Sequence, residues 1–540
     1  MGESTKALIN DAGSALRALQ VSVPVQGRAL SEVPGGGAYL IAKPRMVTYG
    51  GCERGVEEVD GDFYKSTRDD RFVQACPPVN RWIVVSFEPA ASYVGGGKGG
   101  GKGGGGKGGG KGGGGKGGGG KGGGGGANGP EEVIRGVANK LRQGANSKGI
   151  ELAELVNRDG SRDGGDVYFL DGMLSGPQQQ NAIEAQLDRI MRECESSPRG
   201  APKFVLAIIS NNKDMNGKTV KPALDRWSIL HAPYLPVICM QVDKAKDKGT
   251  WDMTFAKLNL AKLNARLGGI NTYAKGMLTE ATPTMVVGLD VFHSSAGSSM
   301  RSISAYVASM DDQCTSYHTA LREHEKLGDE KLTDIEEVVE KQLMAYYRKH
   351  SRFPHRLVVF RDGIAHSAFA AIGRPEIEGI KRVFEKLRIS PALVFLVVQK
   401  RNLTRLFQRR VDRDGVEFYT NVPPGTAVDV VRDANFWLVA HSALQGTTRV
   451  PSYHILCNEP NADVGASAPA LLMEEIVQLT YDLCHGHFKC NRSVSVPSPV
   501  YFADLAAERA TSLYECDEHG AQGRFLGGNF DETQSLRLFF

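Results

Sequence analysis

The 540-residue chain is predicted to be an α/β protein with two folded parts and one low-complexity insertion, and three observations lead there. Strand-length apolar runs alternate with helix-period runs through residues 131–273 and again beyond 285. Residues 95–126 hold 26 of the 66 glycines, broken only by six lysines, while the rest of the chain has close to the usual globular glycine content of about 7%. The formal charge is +4, and setting the six tract lysines aside turns it to −2, so a uniformly basic nucleic-acid sleeve is excluded. Any polyanion site must be a local cluster.

The first 93 residues suggest a short helix from Lys6 to Leu19 and then Gly- and Pro-punctuated extended segments, Arg81 to Phe87 being the clearest strand. They read as a connecting region. Residues 94–127 form a disordered Gly/Lys-rich insertion whose 32-residue core spans roughly 30 Å as a flexible coil. In residues 128–277, strands at Lys203 to Ile209 and Leu235 to Val242 alternate with helices, notably Thr254 to Leu267. From 278 to 540 the order is strands at Met285–Val291, Ile303–Ser309 and Thr315–Leu321, then a helix, a strand (Leu357–Phe360), a helix (about Glu376–Leu387) and a strand (Ala392–Val398). Thr333 and Glu336 predict a capping box for the first of these helices, with Ile335, Val338, Val339, Leu343, Tyr346 and Tyr347 on one face. The order β-β-β-α-β-α-β is the ribonuclease H-like arrangement.

No apolar run reaches the roughly 18 residues of a membrane helix, and no apolar signal core follows Met1, so a soluble intracellular chain is expected. Nine cysteines from Cys52 to Cys516, none in a CxxC pair, argue against a disulfide framework and a zinc ribbon.

Asp290 and Asp362 stand near the C-terminal ends of two apolar strands that this topology makes neighbours. Two carboxylates so placed repel, and a hard divalent cation, Mg²⁺ or Mn²⁺ rather than zinc, is the usual relief. Catalysis there requires that the oxygens converge and that no lysine salt-links them and fills the space.

The motifs around them resemble, in order, the PIWI domain of eukaryotic Argonaute proteins. They are Gly288-Leu289-Asp290-Val291-Phe292-His293, Phe360-Arg361-Asp362-Gly363, Val397-Val398-Gln399-Lys400-Arg401 with Thr404-Arg405-Leu406-Phe407, Gln445-Gly446-Thr447-Thr448-Arg449, Tyr453-His454-Ile455-Leu456, Leu479 to His485 and Arg492 to Pro497. The likeness runs from about Pro283 to Phe540. Upstream, Leu267-Gly268-Gly269-Ile270-Asn271 resembles the end of the MID domain, and Gly27-Arg28-Ala29-Leu30 with the Trp82 strand resembles the linker before it.

The resemblance implies a ribonuclease H-like PIWI domain preceded by a Rossmann-like MID domain. It implies a small guide RNA bound by its 5′ phosphate and cleavage of complementary target RNA by two metal ions, Mg²⁺ or Mn²⁺, about 4 Å apart, leaving a 3′-hydroxyl and a 5′-phosphate. Asp290 and Asp362 match the two motif aspartates and His454 the fourth position, these three as metal ligands; the mobile glutamate falls at Glu330, with Asp329 the alternative from counting in the other direction. Lys262 and Arg266, four apart on one helical face, match basic positions of the phosphate pocket, and Arg226 is a weaker match. Lys400, Arg401, Arg405 and Arg449 match positions that grip the guide backbone, contacts that position rather than specify. Phe292 stands where the family usually has threonine, Lys221-Pro222 where a stacking tyrosine is usual, and Ile238 where a glutamine is expected. The first 93 residues leave no room for the family's amino-terminal and PAZ domains, so weaker retention of short guides is expected. A cytoplasmic monomer, with a nuclear pool possible, completes the expectation.

Other features invite rival accounts. Asn212 to Thr219 reads as a phosphate-binding loop lacking its first glycine, Cys484 to Cys490 offers soft metal ligands, and His293 and His441 could be extra ligands, although packing explains these histidines as well. A guide-binding silencing factor that does not cut, or a scaffold tethered to RNA or ribosomes through the Gly/Lys tract, are the alternatives to a nuclease.

Overall fold

The computed structural model describes residues 37–56, 62–63, 67, 69–87, 130–156, 165–170, 178–209, 220–230, 235–241, 253–276, 278, 281–293, 300–326, 328–431, 434–461, 468–516, 522–525 and 530–532. The predicted helix at 6–19, the glycine/lysine tract and the loop at 212–219 lie outside them.

In chain order the main elements are β1 (Gly37–Leu40), β2 (Ile83–Ser86), α1 (Pro130–Lys148), β3 (Val167–Phe169), α2 (Gln178–Glu195), β4 (Val205–Ile209), α3 (Lys221–Leu230), β5 (Val237–Gln241) and α4 (Met253–Arg266). Then follow β6 (Thr284–Phe292), β7 (Ile303–Ser309), β8 (Tyr317–Glu323), α5 (Ile335–His350), β9 (Arg356–Asp362), α6 (Arg374–Leu387), β10 (Ala392–Gln399), β11 (Phe407–Val411) and β12 (Glu417–Asn421). The chain ends in β13 (Thr426–Val431), β14 (Asn435–Val439), β15 (Ser452–Glu459), α7 (Met473–Leu483), α8 (Ser498–Ala510) and β16 (Phe530–Glu532).

Four parallel strands in the order β3-β2-β4-β5 build the smaller sheet. Alternation of side chains along each strand divides its apolar residues between two helix layers. Val84, Leu206, Ile208, Ile238 and Met240 meet α1 and α4 through Ile134, Leu141, Leu260 and Leu263. Ile83, Val85, Val205 and Ala207 meet α2 and α3 through Leu187, Leu224 and Trp227. Strand β2 comes from the segment that the sequence presents as a linker, so the low-complexity tract interrupts this unit between its first strand and its first helix.

The larger sheet has ten strands in the order β1-β13-β14-β15-β10-β9-β6-β7-β8-β16. At its centre β9 runs parallel to both β6 and β10, while β7 and β15 are antiparallel to their inner neighbours. Met285, Val287, Leu289, Val359, Phe395 and Val397 face α5 and α6. Val286, Phe360, Val394, Leu396, Val398 and Tyr453 face α7 and α8. Gly288 is required by this second layer, because a Cβ there would overlap the backbone of Pro499 and Val500 where α8 begins.

The predicted helical face of α5 is observed, with Ile335, Val338, Val339, Leu343 and Tyr346 buried and Tyr347 left 42% exposed at its margin. The capping box is not observed. Asp334 rather than Thr333 is the N-cap, without a side-chain bond, and Arg348, Lys349 and His350 in the last turn suit the helix dipole instead. Among the described residues no helix is long and apolar enough to cross a membrane.

Candidate active site and cation cluster

The β6–β9 register pairs Leu289 with Arg361, which sets Asp290 beside Asp362 one residue further on. Both share the parity of Val286 and Phe360, so both point to the α8 side of the sheet. The expected convergence is present, and the two residues are only 7% and 6% exposed. A third acid joins them from α8. Asp504 faces the Asp290 carboxyl, and burial first, then Asp362 and Asp504, push Asp290 up to about 8. Burial raises Asp362 as well.

Of the two conditions for catalysis one is met and one fails: the oxygens converge, but a lysine salt-links them and fills the space between. Lys400 Nζ lies 2.5 Å from Asp362 Oδ2, 3.5 Å from Asp504 Oδ2 and 3.7 Å from Asp290 Oδ2. It leaves the end of β10 and is committed to the carboxylates, not presented to a guide backbone. Its anchor is firm, since the neighbouring Gln399 donates to Ile364 O at 3.2 Å and accepts from Ser452 Oγ at 3.3 Å. Three hard carboxylate donors are the chemistry that Mg²⁺ or Mn²⁺ requires, and they already gather a cation. As they stand, no three His, Cys, Asp or Glu side chains among the described residues are disposed to hold one ion.

His454 does not belong to this group. It is registered with Val397, whose side chain faces α5 and α6, whereas Asp362 is registered with Val398 on the opposite face. Its ring packs on Phe369 and His366, with centroids 5.2 and 5.7 Å away, and burial lowers its pKa. The fourth place near the pair is taken by Asp504. The signal for it in the sequence is an acid four residues after Val500, at the margin of the buried stripe Val500, Ala503 and Ala507 of α8.

Glu330 lies beside the site. Its Oε1 accepts from His293 Nε2 at 2.7 Å, and His293 Nδ1 is 2.8 Å from Ser302 Oγ. Arg361 donates to the Glu330 carbonyl at 2.5 Å while its guanidinium pairs with buried Glu376 at 3.3 Å. The Glu330 carboxylate is the one that approaches Gly363, next to Asp362, while Asp329 accepts from the Lys331 amide in its own turn. His293 therefore orients Glu330.

A second charged cluster joins the smaller sheet to α8. Lys262 and Arg266 of α4 lie in the same electrostatic group as Lys221, Lys489 and Arg509, and these four cations together with burial lower Lys489 to about 7. Burial first, then Arg266, lowers Lys262. Asp225 sits among them, bonded to Lys221 at 2.6 Å and Arg509 at 2.8 Å; burial raises its carboxyl, but the cations outweigh that and hold it below the usual range. Arg266 donates to Val237 O at 2.6 Å, and the buried Nε atoms of Arg266 and Arg509 have no protein partner. Unpaired guanidinium donors amid excess positive charge suit an anion.

Arg226 is not part of this cluster. Its guanidinium is buried against α2, 2.5 Å from Glu184 and 2.7 Å from Asn181, which makes it a strut between helices. Lys221, Lys489 and Arg509 were missed because they come from distant segments that only the fold unites. Ile238 is 5% exposed in the apolar core and offers no polar contact there.

Of the remaining basic positions, Arg401 and Arg449 are exposed, and Asn402 ties their two loops together by donating to Val450 O at 2.5 Å. Arg405 folds back on its own loop, onto the carbonyls of Asn402 and Thr404. In the Cys484–Cys490 segment, His485 meets Tyr481 edge-on and His487 packs on Tyr501 and Phe502. His441 is mostly buried, which lowers its pKa.

The Piwi domain model matches residues 204–515. Protein tag-76 of Caenorhabditis elegans is 35% identical over 265 residues, covering 46% of this chain and 24% of that relative. The C-terminal lobe of a budding yeast Argonaute is similar in fold, with a TM-score of 0.65 at 19% identity over 88% of both chains. Kluyveromyces polysporus Argonaute with a guide RNA gives a TM-score of 0.65 at 18% identity, over 88% of this chain and 50% of that one. The chain thus spans about a quarter of the curated relative and half of the Kluyveromyces polysporus chain. With the Piwi match extending over more than half its length, on a sheet that brings the two motif aspartates side by side, the chain belongs to the Argonaute/Piwi family.

Proposed function

We propose that this protein binds a small guide RNA by its 5′ phosphate and, only once Lys400 has withdrawn from the acids, cleaves complementary RNA at Asp290, Asp362 and Asp504, with Glu330 as a further acidic group. The observation that supports this best is the convergence of three carboxylates, from β6, β9 and α8, at one point near the C-terminal ends of the central strands. Those three would hold Mg²⁺ or Mn²⁺, which when bound supplies activation of water and stabilisation of the departing 3′ oxygen. Glu330 approaches from its loop, oriented by His293 and Arg361.

The smaller domain, read as MID, would take the terminal phosphate between Lys262, Arg266, Lys221, Lys489 and Arg509. Arg401, Arg405 and Arg449 would line the backbone path, leaving the choice of target to base pairing. The Gly/Lys tract would add a salt-screened tether to RNA, and its deletion should leave guide-dependent binding intact.

One observation favours a second reading. Lys400 neutralises the carboxylates, as it would in a guide-binding protein that does not cut. Loading a 5′-phosphorylated guide and adding labelled complementary RNA with Mg²⁺ or EDTA separates the two. A nuclease gives one cut at a fixed distance from the guide's 5′ end, and Asp362→Ala binds but leaves the substrate whole. Intact substrate with the wild type under both Mg²⁺ and Mn²⁺ selects the non-cutting reading.

A further inference from the structure

We propose that Lys400 is a tethered cation that competes with divalent metal for Asp290, Asp362 and Asp504, closing the site until nucleic-acid phosphate draws the lysine away. This rests on the nuclease reading of the site and adds its regulation.

The geometry has three parts. The ammonium touches all three acids and not one alone, so it occupies the position that a shared ion would need. Its backbone is fixed, because Gln399 is bonded to Ile364 and Ser452 and Asn402 is bonded to Val450; only the four-carbon side chain is free to swing. The side chain is also 25% exposed, and the next residue, Arg401, points to solvent on the loop tied to that of Arg449. A strand seated on these arginines puts phosphate within the same neighbourhood and offers Lys400 an alternative partner.

The test uses the full chain without nucleic acid and Mn²⁺ alone as the probe, with free Mn²⁺ followed by electron paramagnetic resonance. A site that the lysine leaves open about a tenth of the time has its apparent affinity lowered about tenfold, so Lys400→Met should bind Mn²⁺ about tenfold more tightly than wild type. Lys400→Arg, which keeps the charge, should stay weak. Equal affinity in wild type and Lys400→Met overturns the proposal while leaving a metal site in place. Absence of Mn²⁺ binding in both overturns the nuclease reading, and the competition with it. Because Lys400→Met leaves the acids without a counter-charge and could fold poorly, wild type provides a second measurement. Acylation of Lys400 by a water-soluble active ester, read by mass spectrometry, should rise when Mn²⁺ is added; labelling indifferent to Mn²⁺ overturns the proposal.

Discussion

Arg509 on α8 donates to Asp225 on α3 at 2.8 Å, which fastens the C-terminal helix of the large sheet to the smaller domain. Five residues earlier the same helix carries Asp504 to the carboxylate group. One rigid element therefore spans the cation cluster and the acidic site.

Asp504 and His454 are rival occupants of the fourth position, and substitution separates them. Asp504→Asn should reduce guide-directed cleavage by more than the about 10- to 100-fold typical of losing an outer-shell partner of a metal site. His454→Ala should leave the cleavage rate unchanged, since its ring lies across the sheet against Phe369. Single-turnover cleavage with saturating guide measures both. Loss of cleavage in His454→Ala with Asp504→Asn still active would reverse the assignment.

The difference between these two residues shows what the sequence could reveal. Asp290 and Asp362 were legible because each ends a continuous apolar run, and runs of that kind make adjacent central strands. The elements of the large domain were legible for the same reason, β7 and α5 especially. Strand parity at His454 was not, because the bulge between Phe395 and Leu396 shifts the β10–β15 register by a residue and so decides which side chains share a face. Lys400 read as a guide contact because its motif resembles one that grips guide phosphates, yet its partners lie on β6, β9 and α8. The Lys489 and Arg509 contributions depend likewise on contacts between distant segments. Arg226 misled in the opposite way, since a charged helix residue gives no local sign that Glu184 awaits it.

Lys489 should make guide binding pH-dependent. Burial and the surrounding cations hold its ammonium near a pKa of about 7 in the free protein, and a bound phosphate restores it towards the ordinary lysine value. Below pH 7 the residue is charged in both states and no proton moves. Above pH 7 it is neutral when free and charged when bound, so binding takes up a proton and affinity falls as pH rises. Calorimetry of a 5′-phosphorylated guide in buffers of different ionisation enthalpy should give proton uptake at pH 8, where the terminal phosphate, with its second ionisation at about 6, is already dianionic. Lys489→Met should abolish that uptake.

The Arg361–Glu376 pair is fully enclosed beneath the site, with side chains 0% and 4% exposed. Arg361→Met strands a buried carboxylate and should cost about 3–5 kcal/mol, seen as a lower urea midpoint. Adding Glu376→Gln removes the stranded charge and should recover part of the loss. It should not restore the Glu330 loop, whose carbonyl loses the same guanidinium.

Gly288→Ala tests whether the approach of α8 to β6 sets the position of Asp504. The added methyl overlaps the Pro499 carbonyl and the Val500 amide, both backbone, so no side chain can swing aside to make room. Overpacking of this kind costs about 1–3 kcal/mol, and the helix start must lift from the sheet. Because α8 is also held by Arg509 to Asp225 at its far end, it should pivot and carry Asp504 away from Asp290. The expected result is a lower melting temperature together with a loss of cleavage, while binding of a 5′-phosphorylated guide is kept. A variant that melts lower but cuts at the wild-type rate would show that α8 supports the sheet without positioning its acid.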